Sequence, residues 1–385
     1  MGVKTTAGRP AAGGTVVAEP PSGGRAVGLS LLRLVSALAI PILGFFLLWA
    51  TFDFLRDADA NRGLVVLVAV VVGVGGVFFL YWGMNRLVDW FPARYAEGVR
   101  PYVFVGPGLV ILSVFLVYPV INTILISLKD ADSQAFVGLD NFVFVFTNED
   151  MLRSIRNTVG WIIVVPTFGV GIGLAFATLA DRLRRRGEAV AKSMIFLPMA
   201  ISFVGASIVW RLVYSFRPEG FGNQIGLLNG VMQGLGQNPV PWLQEVPWNN
   251  LFLMVIMVWM QTGFAMVILS AAIKAIPDEI IEAARIDGAT EMQVFRRIMV
   301  PTILPTIVVV TTYMVINALK VFDIVFVMGN PEAQGTVVIA ERMIDWFFIS
   351  DHDGRGAAIA VVLFVAVIPI MIWNVRRFRE QETIR

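Results

Sequence analysis

Eight stretches of the chain are continuously apolar and long enough to cross a bilayer: about 29–52, 64–83, 102–128, 158–180, 193–214, 251–273, 303–328 and 357–375. A helix needs about 20 apolar residues to traverse roughly 30 Å of hydrocarbon. None of the stretches shows the short apolar–polar alternation of a membrane barrel. The pattern therefore predicts an all-α, polytopic membrane protein with eight transmembrane helices. Residues 1–28 are rich in glycine, alanine and proline, among them Gly13, Gly14, Pro20, Pro21, Gly23 and Gly24. Such a segment buries no core and is expected to be a disordered tail. The first apolar run is longer than a signal-peptide core and carries no small-residue cleavage pattern, so it is expected to span.

Positive charge orients the helices. With the N-terminus placed inside, 19 Lys and Arg fall in inner segments and 8 in outer ones. The inner set includes Arg182, Arg184, Arg185, Arg186, Lys192, Lys274, Arg285, Arg296 and Arg297. This bias predicts that both termini are cytoplasmic. Arg33 and Arg211 lie near span ends, where they are expected to snorkel. Composition agrees with a membrane protein: 15% of residues are charged, against about 25% in soluble domains. The net charge of +2 argues against a nucleic-acid partner. With no cysteine and a single histidine, His352, thiolate chemistry and His-rich metal sites are excluded, and no metal site is expected.

Between the sixth and seventh apolar stretches, Lys274–Pro305 is too polar to span and too patterned for a slack connector. Pro277 suits the start of a helix, with Asp278 and Glu279 at its positive end. Ile280, Ile281, Ala284 and Ile286 give that helix an apolar side. Gly288 breaks it at a point where positive φ is expected. A second amphipathic helix carries Met292, Phe295, Ile298 and Met299, and Pro301 and Pro305 close the segment. The prediction is a helix–turn–helix elbow over 277–300, lying along the inner membrane surface.

The residues Glu282-Ala283-Ala284, then Gly288, then Ile298, Val300 and Pro301 resemble the EAA signature of binding-protein-dependent ABC import permeases, with Val300 replacing the family's leucine. The wider stretch Ala275–Ala289 is similar to the carbohydrate branch, to which the larger membrane subunit of the maltose permease belongs. The resemblance implies a type I ABC importer permease core of six helices over 101–380, preceded by two additional N-terminal transmembrane helices over 29–100. It implies that Glu282, Ala283, Ala284, Asp287, Gly288, Ala289, Phe295, Ile298 and Pro301 couple the chain to an ATPase subunit. It further implies a second EAA-bearing permease, two cytoplasmic ATPases that bind ATP and Mg, and an extracytoplasmic sugar-binding protein. The chain itself is then not an enzyme, has no catalytic residue and binds no cofactor. No Gly-Lys pair occurs in the sequence, so the phosphate-binding G-x-x-x-x-G-K-[ST] loop is absent.

Polar residues inside spans are costly and mark function by default. Tyr313, Asn317, Lys320 and Asp323 are spaced to share one face of the seventh helix, and Lys320 and Asp323 can neutralise each other. They form either a sugar-facing stripe or an internal ion pair. Trp259, Gln261 and Phe264 lie mid-span in the sixth stretch. The resemblance implies an aromatic and polar wall there, and sugar rings stack on indole while their hydroxyls bond amides. The turn Met328-Gly329-Asn330-Pro331 departs from the glycine pair usual after the Phe-Asp of the sugar branch, and is similar to an α-glucoside-type subgroup. Gly169 and Gly173 form a small-residue pair expected to let a neighbouring helix approach.

Two rival readings come from other classes. The acidic pairs Asp57/Asp59, Asp130/Asp132 and Asp351/Asp353 fit a polytopic glycosyltransferase with a divalent cation. Lys320 and Asp323 fit the relay of a proton-coupled secondary transporter. The glycosyltransferase would not need the patterned elbow.

Overall fold

The computed structural model describes residues 44, 46, 49–56, 62–88, 93–218, 220–329 and 331–382. The expected tail over 1–28, most of the first span and the pair Asp57/Asp59 lie outside the described residues. Among the described residues the chain is helical and has no strand beyond one isolated bridge, Lys129 to Phe136. It divides into two units, Met1–Tyr118 and Pro119–Arg385.

The first unit contains α1 (Arg62–Val88) and α2 (Ala93–Leu112), followed by a wide π turn at Ser113–Val117. The second unit comprises the rest: α3 (Tyr118–Ile126, which starts on the boundary residue), α4 (Asp140–Thr147), α5 (Glu149–Ala180), α6 (Arg185–Phe196), α7 (Phe203–Val213) and α8 (Leu227–Gly234). These are followed by α9 (Trp248–Lys274), α10 (Asp278–Ile286), α11 (Glu291–Val294), α12 (Val300–Leu319), α13 (Asp323–Met328), α14 (Pro331–Gln334), α15 (Ile339–Phe348) and α16 (Asp353–Glu382).

Among the described residues six helices are long and apolar enough to cross a membrane, and a seventh span exists if the bent pair α6–α7 counts as one. Two expected spans are not continuous. The stretch 193–214 breaks at a short 3-10 turn, Leu197–Ala200, and its two helices meet at 102°. Pro198 starts that turn, and the side chain of Ser202 caps α7 by accepting from the Gly205 amide at 3.0 Å. The stretch 303–328 breaks at Lys320–Phe322, between α12 and α13.

α9 is the centre of the second unit. α5 runs along it, α12 packs against both, and α6 crosses it. Asn148 caps α5 by accepting from the amides of Asp150 and Met151. The glycine pair packs as its spacing predicts: a β-carbon at Gly173 would sit 2.5 Å from Cβ of Ala265 and 3.1 Å from the Met266 nitrogen, while Gly169 faces Met314. One buried cluster joins Trp161, Leu253, Met257, Ile324 and Val325. A second, toward the C-terminal end of α9, joins Ala265, Met266, Leu269, Ile303 and Met314.

The N-terminal end of α9 is organised by buried amides. Asn229 donates to the carbonyls of Ser215 and Val240 at 3.0 Å each, and accepts from the Val240 amide at 2.8 Å and the Trp242 indole at 3.1 Å. One side chain thus folds the whole connection between α7 and α9. Asn229→Leu leaves these groups unpaired and is expected to cost about 2 kcal/mol. Limited proteolysis of the detergent-solubilised variant should then cut within 215–247 faster than in the unsubstituted protein. Nearby, Arg342 is buried and pairs with Glu332 at 2.7 Å and Glu341 at 2.9 Å. Burial pushes the Glu341 carboxyl up, against the downward pull of Arg342.

Candidate functional site: the elbow and the broken spans

The elbow forms as the sequence predicts in its first half. Pro277 caps α10, and Asp278 and Glu279 occupy its first turn. Gly288 has φ of +84°; its amide donates to the Arg285 carbonyl and the Ala289 amide to the Ala284 carbonyl, each at 3.0 Å. This pair of bonds is a Schellman termination with glycine at the left-handed position. A β-carbon there would meet nothing within 4 Å, so glycine is required by the backbone and not by space.

The second half differs. No separate second helix ends at Pro301 and Pro305. Instead α11, a π turn at Phe295–Met299 and α12 form one continuous helix, Glu291–Leu319. A capping box starts it: Thr290 Oγ1 accepts from the Gln293 amide, and the Gln293 side chain accepts from the Thr290 amide. That signal, Thr290-x-x-Gln293, is present in the sequence. In the π turn the amide of Val300, the residue immediately before Pro301, bonds the Phe295 carbonyl. A proline crowds the carbonyl four residues back, and the wider turn relieves this. The same arrangement precedes Pro119, where the Tyr118 amide bonds Ser113.

The apolar side of α10 also needs correction. Ile281 packs into the bundle and Ala284 is half-buried, but Ile286 is 86% exposed and Ile280 is exposed. At 100° per residue Ile286 lies far round the helix from Ile281. It joins Glu279, Glu282 and Ala283, all exposed, on an outward face with two carboxylates and an isoleucine. Among the described residues Glu282 has no ion-pair partner. Asp287 is exposed and Ala289, Phe295 and Ile298 are half-buried. Behind the elbow, between it and the ends of α5 and α9, lies a cavity of about 700 Å³ floored by Leu179, Ile273, Ile276, Ile281 and Met299.

The polar residues of the spans separate into groups. The helix break at Lys320–Phe322 means that Tyr313, Asn317, Lys320 and Asp323 do not share one helical face. Lys320 ends α12 and Asp323 begins α13. No ion pair within 4.0 Å joins Lys320 to Asp323. Both instead line a pocket of about 200 Å³ with Asn317, Phe203 and Met257. Asn317 donates its amide to the Tyr313 carbonyl at 2.9 Å. Tyr313 packs against Phe264 with the rings tilted at 39° and their centroids 4.5 Å apart. Trp259 points elsewhere: its ring meets Trp210 edge-on at 5.7 Å, within an aromatic group that includes Tyr214 and Phe252. Gln261 is buried, one turn along α9 from Met257, and neither amide atom has a partner among the described residues. Sequence reasoning missed Phe203 and Met257. Pro198 and Ser202 could have revealed the break that brings Phe203 to the pocket; nothing local marks Met257.

Of the acidic pairs that motivated a glycosyltransferase, the two among the described residues each place a carboxylate on a loop. Asp130 accepts from the amides of Gln134 and Ala135 at 2.8 and 3.1 Å, and Asp353 accepts from the Ser133 hydroxyl at 3.2 Å. Among the described residues no group of three acidic or histidine side chains could hold a metal ion.

Comparison with known proteins matches these features to a family. Residues 169–377 match the binding-protein-dependent transport system inner membrane component family. The chain is 52% identical over 285 residues to the osmoprotective compounds uptake permease protein GgtC of Synechocystis sp., covering 74% of this chain and 100% of that one. It is 46% identical over 327 residues to the alpha-glucoside transport system permease protein AglF of Rhizobium meliloti, covering 81% and 96%. It is 32% identical over 294 residues to the trehalose/maltose transport system permease protein MalF of Thermococcus litoralis, covering 74% and 96%. In fold it is similar to a chain of a bacterial ABC transporter involved in the import of the acidic polysaccharide alginate, with a TM-score of 0.65 at 23% identity, over 74% of this chain and 99% of that one. The helical core, the glycine elbow and these matches make the chain a member of the binding-protein-dependent transport system inner membrane components, multi-pass membrane permeases of ABC importers.

Proposed function

We propose that the chain is one of two permease subunits of an ATP-driven carbohydrate importer, and that it takes α-glucosides or related small glycosides. The observation that carries this is the elbow: a rigid, glycine-terminated helix whose outward face holds Glu279, Glu282, Ala283 and Ile286. Two cytoplasmic ATPases, which hold the ATP and Mg, would seat these elbows in grooves. Their closure would switch the bundle between inward- and outward-open states. A solute-binding protein would deliver the sugar at the opposite side; one alginate transporter similar in fold was crystallised with its periplasmic protein. Both termini are then cytoplasmic, and two N-terminal spans precede a six-helix core over 101–380. Names of the relatives support the substrate class.

In this reading the sugar passes the pocket at the break between α12 and α13. Asn317, Lys320 and Asp323 offer an amide, a cation and a carboxylate to hydroxyls, and Phe203 an apolar wall. Gln261, whose amide is buried without a partner, waits for a bond that a passing hydroxyl or water supplies. Trp259 has no such role.

The test is uptake of labelled mono- and disaccharides by cells expressing the chain with its partner subunits. α-Glucosides should accumulate in an ATP-dependent way. Accumulation that follows the proton gradient and persists without ATP would favour the secondary-transporter alternative. Lys320→Met should lower uptake about tenfold, the loss of one charged hydrogen bond. The assembled complex and its basal ATP hydrolysis should remain unchanged, and unaltered uptake would remove Lys320 from the path.

A further inference from the structure

We infer that the two-residue turn Asp181-Arg182 is a second mechanical input, joining the elbow to the broken span α6–α7; this rests on the coupling role proposed above. The turn follows α5 and is tightly held, with the Arg182 amide on the Leu179 carbonyl and the Leu183 amide on the Ala180 carbonyl. Its two side chains face in different directions. Arg182 reaches Glu291 at 3.7 Å, and Glu291 also accepts from Arg285 of α10 at 3.0 Å. Glu291 therefore ties both arms of the elbow to the turn.

Asp181 engages the other side. It lies 3.5 Å from Lys274 at the end of α9 and 3.9 Å from Lys192 of α6, and it accepts from the buried Ser270 hydroxyl at 3.3 Å. Glu188 of α6 completes the group by binding both lysines, Lys192 at 2.5 Å. The inner set is mostly shielded, whereas the Glu291 pairs are more than half exposed. Exposed pairs add little stability, so the shielded group around Asp181 and Glu188 is the firmer part of the linkage and the Glu291 pairs the weaker one.

α6 then behaves as a lever. Its elbow-side end is held by Glu188 and Lys192. Its other end lies backbone-to-backbone against α9 at Gly263, where a β-carbon would fall 2.4 Å from the Ile195 carbonyl oxygen. Beyond this contact come the 102° bend and Phe203, which lines the pocket. A shift of the elbow thus reaches the substrate pocket by a route separate from α12.

The chain has no native cysteine, so introduced ones can be bridged cleanly. R182C/E291C in the full complex should lower sugar taken up per ATP hydrolysed about fivefold, within the range of couplings carried by such contacts. The ATPases should still co-purify. Joining the two cysteines with a flexible thiol crosslinker should restore the ratio. A native ratio in the unbridged variant, or a crosslink that leaves the deficit unchanged, would overturn this linkage while leaving the permease reading intact. Absence of ATP-driven sugar uptake by the unsubstituted complex would overturn both.

Discussion

Gly288→Pro abolishes sugar uptake, by at least tenfold, while the protein still reaches the membrane. The φ of +84° at this residue is out of reach for proline, whose ring holds φ near −65°. The two bonds that end α10 are lost, and the direction in which the chain leaves it changes. The bundle core is untouched, because Gly288 is exposed and its surroundings are empty. Gly288→Ala makes a graded comparison: the left-handed conformation costs an L-residue about 1–2 kcal/mol, so uptake should fall only partly. Glu282→Lys reverses the charge on the outward face without touching the backbone, and should release the ATPases from the membrane fraction. Uptake and ATPase retention at native levels in both Gly288→Pro and Glu282→Lys would remove the elbow from the mechanism.

Gly173→Leu has the other large effect, and it falls on assembly of the bundle. The added side chain collides with Ala265 and with the backbone at Met266, which no rotamer can relieve. α5 and α9 must part, opening the central contact of the second unit. Overpacking of this kind costs about 3 kcal/mol. The expected result is a sharp loss of folded protein on size-exclusion in detergent, with Gly171→Leu as control, since a β-carbon at Gly171 meets nothing within 4 Å. Equal behaviour of the two variants would refute the close approach.

What the sequence disclosed follows from the range of each signal. The elbow was legible because its determinants are local: a proline at one end, paired acids in the first turn and a glycine where the chain turns. Hydropathy located the spans but not their breaks, since Leu197–Ala200 is as apolar as the rest of the stretch 193–214, and a window average sees no angle. The break at Lys320–Phe322 was hidden because a window average absorbs a single lysine among apolar neighbours, and with it went the assumption of a shared face from Tyr313 to Asp323. Ile286 misled because short helices offer few residues from which to fix a face, and an isoleucine that awaits a partner looks like one that faces the core. Trp259 was legible as an aromatic in mid-span. Its contact with Trp210 depends on the bend that brings α7 across α9, which no local pattern announces.

The wide turn at Phe295–Met299 has a geometric consequence. It holds one residue more than an ordinary turn, and each residue advances a helix by about 100°. The arm bearing Glu291 is therefore rotated by that amount, relative to the membrane portion, from where a regular helix would aim it. The turn works like an indexing notch on a shaft, fixing the bearing at which the lever leaves its axle. Pro301→Ala removes the crowding that keeps the notch open. If the helix then relaxes to regular winding, the lever swings round by nearly a third of a circle, and a transporter with every contact residue intact would be driven in the wrong direction.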